Sequence, residues 1–354
     1  MLKCLKIIAL PLFWLAGGLF AHCLAADITQ SPRASYSWGR GYSIPQANLN
    51  LGGYFQSTLT KAESQPAHVT LDDISLFISW SPFDRLHFFS EIELEDIIST
   101  REIQTLNQSL SLERYYFDYF FSQSTSFRIG KFLTPVGIWN INHAAPLVWT
   151  TTRPLVTEDQ VFSSHATGLM ATKTFTVNDL DIDASLFLDD SDDLEPRKNH
   201  FHDFTNAIGS RIHILLNEDL NLGVSYLTYK KRADFHNARN HLFGLDALWT
   251  HNGYELQAEF IYRYAGRDKS EKGFYLQGVV PLGRDFYAVN RYEYLTGTHL
   301  FYETSAIKST THLGITGLAW RPYTPLVFKA EYRFGHDNEI MAPSGVFASI
   351  SMFF

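Results

Sequence analysis

Short turns and long connections alternate strictly along this chain, and that alternation limits the fold more than any other feature. The short turns are Ser81-Pro-Phe-Asp-Arg85, Ser122-Gln-Ser-Thr-Ser126, Val177-Asn-Asp179, Asn217-Glu-Asp219, His251-Asn-Gly253, Pro281-Leu-Gly-Arg-Asp285 and Arg321-Pro-Tyr-Thr-Pro325. Each is polar or carries Gly or Pro, and each is flanked by runs of period two. Longer polar links fall between them, near residues 58–68, 97–109, 133–165, 190–204, 231–240, 266–272, 296–309 and 336–343. Seven short turns join fourteen strands, and one further strand at each end makes sixteen, with both termini on the short-turn side. Bacterial barrels in membranes have this even count and this asymmetry. A soluble all-β chain has no reason to put every short turn at one end.

The residues within the runs say which medium each face meets. Ile74, Leu76, Ile78 and Trp80 oppose Asp73, Ser75, Phe77 and Ser79. Leu256, Ala258, Phe260 and Tyr262 oppose Glu255, Gln257, Glu259 and Arg263, and the last run sets Val346, Ala348, Ile350, Met352 and Phe354 against Phe347, Ser349, Ser351 and Phe353. Sixteen strands enclose too wide a space for side chains alone to fill. The charged face is therefore expected to line a wet lumen, and the apolar face to meet lipid. Aromatics make up 15% of the residues, with 28 Phe and 18 Tyr, which suits girdles at two membrane interfaces. Two stretches resist this phasing: in Gly168–Val177 Lys173 falls on the apolar side, and in Phe286–Leu295 Asn290 does.

At the amino end, Lys3 and Lys6 precede an apolar stretch from Ile7 to Phe20 and small residues at Ala25 and Ala26, the order of a secretory signal peptide. The expected division is a signal peptide over 1–25, a polar amino-terminal extension over 26–46, and a barrel over 47–354. The extension reads either as a periplasmic segment or as disorder. Both cysteines, Cys4 and Cys23, fall in the signal, so the mature chain would hold no disulfide and no cysteine-ligated metal. Losing Lys3 and Lys6 would take the net charge from −8 to −10, which argues against a nucleic-acid partner. Nothing in the sequence calls for a cofactor.

Arg128-Ile-Gly-Lys-Phe132 closes one run, and Pro135-Val-Gly137 opens the longest connection, which continues through His143-Ala-Ala-Pro-Leu-Val-Trp149 to Thr152-Arg-Pro154. Over roughly forty residues that begin with this motif the chain resembles Gram-negative porins, in particular the phosphate-selective porin O/P-like group. The resemblance implies a sixteen-stranded antiparallel barrel in the outer membrane, a homotrimer, and a third external loop that folds inward and narrows the channel. The composition of the loop fits, since Trp139, Ile141, Leu147, Val148 and Trp149 would be costly in water. Packing on a neighbouring subunit would also cover them. If the loop enters the pore, His143, Arg153, Glu158, Asp159 and His165 are the candidates for its constriction.

Selectivity in such pores comes from rings of charge. The inward set comprises Arg114, Arg128, Arg211, Arg263, Arg291, Lys329 and Arg333. Opposing them are Asp73, Glu91, Glu93, Glu95, Asp118, Asp181, Asp183, Asp246, Glu255, Glu259, Glu293 and Glu331. Of these Arg114, Asp118, Arg128, Arg211, Glu259, Arg263, Arg291, Glu331 and Arg333 are the foremost pore-lining candidates. Carboxylates outnumber cations, which sits poorly with phosphate as the solute. Glu91-Ile-Glu-Leu-Glu95 spaces three carboxylates about 7 Å apart along one face, a pattern that suits either a solvated wall paired with arginines or a bound cation. The other classes to weigh are an adhesin or purely structural barrel and a barrel enzyme, either a phospholipase, which needs a serine with a placed histidine, or a protease, which needs acidic and histidine pairs at its outer rim; no G-x-S-x-G run is present. The sequence thus points to passive diffusion of ions and small polar solutes, with membrane lipid as the surrounding partner.

Overall fold

Strands form here because alternating branched and aromatic residues can present one apolar and one polar face, and they stop where turn residues permit reversal. In the computed structural model the described residues run from 33 to 354, except 64, 101–109, 160, 179, 195–203, 232–238, 266–269, 302–304 and 338–340. The expected signal peptide and parts of several long links lie outside them. The strands are β1 Ser35–Ser37, β2 Gly41–Ile44, β3 Leu49–Ala62, β4 His68–Phe83, β5 Leu86–Ser99, β6 Leu110–Ser122, β7 Thr125–Leu133, β8 His165–Val177 and β9 Leu180–Asp189. They continue with β10 Phe204–Asn217, β11 Leu220–Lys231, β12 Asn240–His251, β13 Tyr254–Tyr264, β14 Ser270–Gly283, β15 Phe286–Phe301, β16 Ser305–Tyr323, β17 Leu326–His336 and β18 Gly345–Phe353.

From β3 to β18 every consecutive pair is antiparallel, and β18 pairs back on β3 from Gly345↔Ala62 to Phe353↔Tyr54, closing a barrel of sixteen strands. The seven short turns all fall where the sequence places them. Asn252 (φ 51°) and Gly253 (φ 85°) take the left-handed conformations a tight hairpin needs. Among the described residues no helix is long and apolar enough to cross a membrane. The outward face carries the apolar half of each alternation, for example Leu256, Phe260 and Tyr262 on β13, all substantially exposed. Antiparallel sheets leave one face to the surrounding medium in this manner.

Three details differ from the sequence reading, and Lys173, which resisted its phasing, stands where that reading put it. The first barrel strand starts at Leu49 rather than 47, and β3 runs on to Ala62, through residues expected to be loop. The link expected at 296–309 is mostly strand, because β15 reaches Phe301 and β16 resumes at Ser305. Lys173 does sit on the outward face, opposite Ala184 and Thr125. Its ammonium reaches the adjacent turn and donates to Ser124 Oγ at 2.9 Å and Thr125 Oγ1 at 3.2 Å, so the stem stays apolar and the charge leaves the band. The polar segment before the barrel is not structureless: β1 and β2 form a hairpin, and β2 pairs with β3 from Tyr42↔Leu51 to Ile44↔Leu49.

Candidate functional site: the barrel interior

The interior is built by residues 134–164, between β7 and β8. Their path follows from two glycines in the motif that opens the segment. Gly130 has φ 131°, and a Cβ there would lie 2.2 Å from the Tyr115 carbonyl. Gly137 has φ 67°, and a Cβ there would lie 1.9 Å from Glu259 Oε2. Glycine is thus required where the loop backbone meets the carboxylate of β13.

Beyond Gly137 the loop backbone is held by charged side chains from the inner wall. Three carboxylates accept its N–H groups: Glu259 from Trp139 at 2.7 Å, Glu331 from Thr151 at 2.8 Å, and Glu293 from Leu155 at 2.6 Å. Cations donate to its carbonyls. Lys329 Nζ reaches Ala145 O at 2.9 Å and Thr150 O at 3.2 Å, and Arg321 reaches Pro146 O at 2.7 Å. Arg291 binds Thr152 O at 2.9 Å, and Lys231 binds Asp159 O at 2.7 Å. A loop without regular structure leaves its backbone groups unpaired, and these wall charges supply the partners.

The loop also forms an apolar core inside the barrel. Val136, Leu155, Val156, Val161 and Phe162 pack against inward residues of β8 to β16, among them Phe187, Leu227, Leu242, Leu295 and Leu313, all nearly inaccessible. Towards the short-turn rim Trp149 packs on Val279, Val289, Ala319 and Val327. Sequence phasing missed this because it treated the inward face as uniformly wet. The signal was present: Leu227, Tyr229, Leu242, Leu313 and Ile315 occupy inward positions, which only a covering segment could keep dry.

The predicted pore-lining residues therefore divide. Arg211 is bidentate to Asp246, at 2.6 and 2.8 Å. Arg291 pairs with Glu293 at 2.7 Å, and neither side chain has any exposed surface. These two arginines, with Glu259 and Glu331, lie beneath the loop. Arg263 pairs with Glu271 at 2.9 Å. Arg333 stacks on Phe347, with its guanidinium 4.9 Å from the ring centre. On the other arc, Tyr54, Phe77, Phe89 and Tyr116 touch in sequence with ring centroids 5.6–5.7 Å apart. Arg114 pairs with Glu91 over Phe89, and Arg128 lies 3.7 Å over Tyr116 while binding both oxygens of Asp118 at 2.7 and 2.8 Å.

On the loop's free side the candidate constriction residues come together. Trp139 and His143 stack at 5.4 Å, Arg153 lies 4.9 Å over Trp139, and Arg153 is 3.6 Å from Asp159. Arg153 keeps 26% and Asp159 51% of the side chain exposed. Burial, reinforced by Arg153, pushes the His143 pKa down to about 3, so the ring is neutral and accepts no proton near neutrality. Burial pushes Glu158 up to about 7 against the attraction of Arg153. For Asp159 burial acts upward, but Arg153 and the Ser164 hydroxyl outweigh it and the net shift is downward. His165 opens β8 and pairs with Glu113 at 2.9 Å. Glu93, Glu95 and Glu113 bring carboxylate oxygens within 4.8 Å of one another. Glu93 also accepts from Tyr54 at 3.1 Å and Ser75 at 3.0 Å. A cavity with room for about one water lies between Arg114, Glu91, Leu133 and His143.

Among the described residues the serine–histidine pattern of a barrel phospholipase has a partial counterpart, and acid–histidine pairs of the kind a barrel protease needs stand at His312 and His336 with Asp337. Ser79 Oγ and His87 Nε2 are 2.9 Å apart, and Asp118 stands opposite His87 in register. Both Asp118 oxygens are occupied by Arg128, so the carboxylate orients the guanidinium rather than the imidazole.

No family model matches the chain. An uncharacterized protein of Aquifex aeolicus (strain VF5) is 24% identical over 331 residues, spanning 80% of this chain and 75% of that protein. Among solved structures, the outer membrane channel DcaP of Acinetobacter baumannii aligns with a TM-score of 0.61 at 10% identity, over 89% of this chain and 100% of its own. The anion-selective porin from Comamonas acidovorans aligns at 0.55 and 11% identity, over 86% and 98%. OmpT of Vibrio cholerae, an outer membrane protein in its trimer form, aligns at 0.58 and 8% identity, over 86% and 99%. At such identities the likeness is one of fold: a closed antiparallel barrel, in this chain of sixteen strands.

Proposed function

We propose that this chain is an outer-membrane porin through which ions and small polar solutes diffuse passively, with the third external loop setting the size limit. One observation carries the reading: the loop is tied to one arc of the inner wall, while Arg153 and Asp159, on its other side, stay open to water. A hydrated passage bounded by that free side and the opposite arc is what this arrangement supports. His143, Arg153, Glu158 and Asp159 form the constriction, and Arg114, Asp118, Arg128, Arg263 and Arg333 border the path. Glu259, Arg291 and Glu331 act by fixing the loop, and Arg211 by holding Asp246 and Ser225 beneath it. Paired arginines and the surplus of inward carboxylates favour small cations over phosphate, so membership of the phosphate-selective porin group would not bring phosphate preference with it.

The same reading includes a cleaved signal over 1–25, an extension over 26–46 on the periplasmic side, and a homotrimer. The trimer is supported by the porin-like motif from Arg128 to Pro154 and by the trimer form of OmpT, a structural neighbour. Planar-bilayer recording of the purified protein tests the function. Stepwise conductance, with a reversal potential of cationic sign in a salt gradient, is the expected result. A sealed barrel that passes no current and hydrolyses lipid or peptide would overturn it.

A further inference from the structure

The hairpin of β1 and β2 lies at the short-turn rim, on the barrel's only seam between first and last strands. There β18 runs out: Phe354 N donates to Gly53 O at 2.9 Å, and Gly53 N donates to Phe354 O at 3.0 Å. Below that point β2 takes over the edge of β3, from Tyr42↔Leu51 to Ile44↔Leu49. β1 then adds to β2 with Tyr36↔Tyr42 and Ser37↔Gly41.

Register fixes which way the side chains point. Directly paired residues share a face. Tyr36, Tyr42, Leu51 and Ile78 therefore form one row, and Leu51 and Ile78 belong to the outward face of the barrel. Ser43, Asn50 and Ser79 form the inward row. The alternation Ser35-Tyr36-Ser37 thus continues the barrel's own apolar-out, polar-in pattern. Trp38, in the turn, lies 5.2 Å from Tyr323, which joins it to the outward ring of Phe286, Trp320 and Phe328 at the same rim. Tyr36, Trp38 and Tyr42 leave 58, 42 and 43% of their surface uncovered. A polar linker in water gains nothing from three such rings held on one face.

We infer that residues 35–44 are a membrane-interface element, seated across the barrel seam with Tyr36, Trp38 and Tyr42 at the headgroup level of the phospholipid leaflet next to the short turns. The inference rests on the proposed outer-membrane location. Amphipathic rings favour that depth because their apolar bodies reach the acyl boundary while hydroxyl and indole N–H stay hydrated.

The test uses the full mature chain in phosphatidylcholine vesicles, on a background without Cys4 and Cys23. Single sites Tyr36→Cys, Tyr42→Cys and Ser43→Cys carry an environment-sensitive fluorophore, with Leu256→Cys as the reference on the outward band. Nitroxide lipids labelled near the headgroup or deep in the chain act as quenchers. Labels at 36 and 42 should lose fluorescence chiefly to the shallow quencher, whereas 43 should respond to neither and 256 should respond to a lipid-borne quencher. Quenching at 256 with none at 36 and 42 overturns the hairpin's placement alone. Equal quenching at 42 and 43 also overturns it, since the faces would not be distinguished. Absence of quenching at 256 would remove the membrane location on which the inference stands, and the inference with it.

Discussion

Two arcs of the inner wall carry the same alternating pattern of charge and use it differently. From β11 to β18 six of the charges face loop backbone: Glu259, Glu293 and Glu331 accept loop N–H groups, while Lys329, Arg321 and Arg291 donate to loop carbonyls. From β3 to β7 they face one another and aromatic rings, as in Arg114 with Glu91 and Arg128 with Asp118. The first arc works as an anchor and the second as a lining. A charge on an inward strand position therefore does not identify a pore-lining residue; what lies opposite it decides.

The largest effect should come from breaking the anchor where it is driest. Glu293→Ala leaves Arg291 buried without its ion partner and frees the Leu155 N–H. Removing one member of a buried pair costs about 3–5 kcal/mol. The expected readouts are a lower urea midpoint for loss of the folded barrel and a larger, noisier single-channel conductance. Conductance unchanged from the parent chain would show that the loop stays in place without this anchor. Next comes Gly137→Ala, which places a methyl group against Glu259 and asks alanine to adopt φ 67°. A strained conformation of this kind costs about 1–3 kcal/mol, and the loop should shift enough to raise conductance while the barrel remains closed. The equivalent change on the lining arc, Arg128→Ala, should alter ion preference more than loop position, seen as a moved reversal potential with little added noise.

Much of the barrel was readable from the chain, and for a simple reason. Turn chemistry is local and strand alternation is local, so seven turns and sixteen strands follow from short windows of sequence. The interior is not local. Leu155 is bound by Glu293, 138 residues away, and Thr151 by Glu331, 180 residues away. Nothing in the spacing of those residues ties them together. The candidate loop residues His143, Arg153, Glu158 and Asp159 could be named because their loop was too apolar to stand in water. Their grouping around Trp139 depends on a path set by Gly137. The amino-terminal hairpin was obscured in another way. The polar residues over 26–46 read as a periplasmic segment or as disorder, and the Ser-Tyr-Ser alternation is too short to register as strand until it is seen paired with β2, which pairs in turn with β3.

The loop's free side also offers a test with pH. Glu158 has its pKa raised to about 7, so it is largely protonated at pH 6 and largely ionised at pH 8. The constriction should become more negative as pH rises through 7, and the reversal potential should move towards stronger cation preference. Glu158→Gln should abolish most of that shift, since a neutral amide cannot titrate. His143 cannot mimic it, because its ring is already neutral above about pH 3.

The smallest effect on stability, and the most informative on selectivity, should come from Arg153→Ala. The Arg153–Asp159 pair is 3.6 Å apart and partly exposed, so loss of the pair itself should change folding stability by about 0.2–1 kcal/mol, with the Arg153 bonds to Thr157 lost besides. The same substitution removes the cation that attracts both Glu158 and Asp159 and stacks on Trp139. Two consequences follow in opposite directions. Asp159 stays ionised and loses its counter-charge, which strengthens cation preference. Glu158 loses the attraction that holds its pKa down, so its ionisation should move to higher pH. At pH 8 the first effect dominates only if Glu158 remains ionised. A variant whose cation preference rises less at pH 8 than the charge count alone would give, and continues to rise on going to pH 9, would show that the two carboxylates share this arginine. A variant with the parent's reversal potential at every pH would place Arg153 away from the ion path and reduce the comparison to one wall.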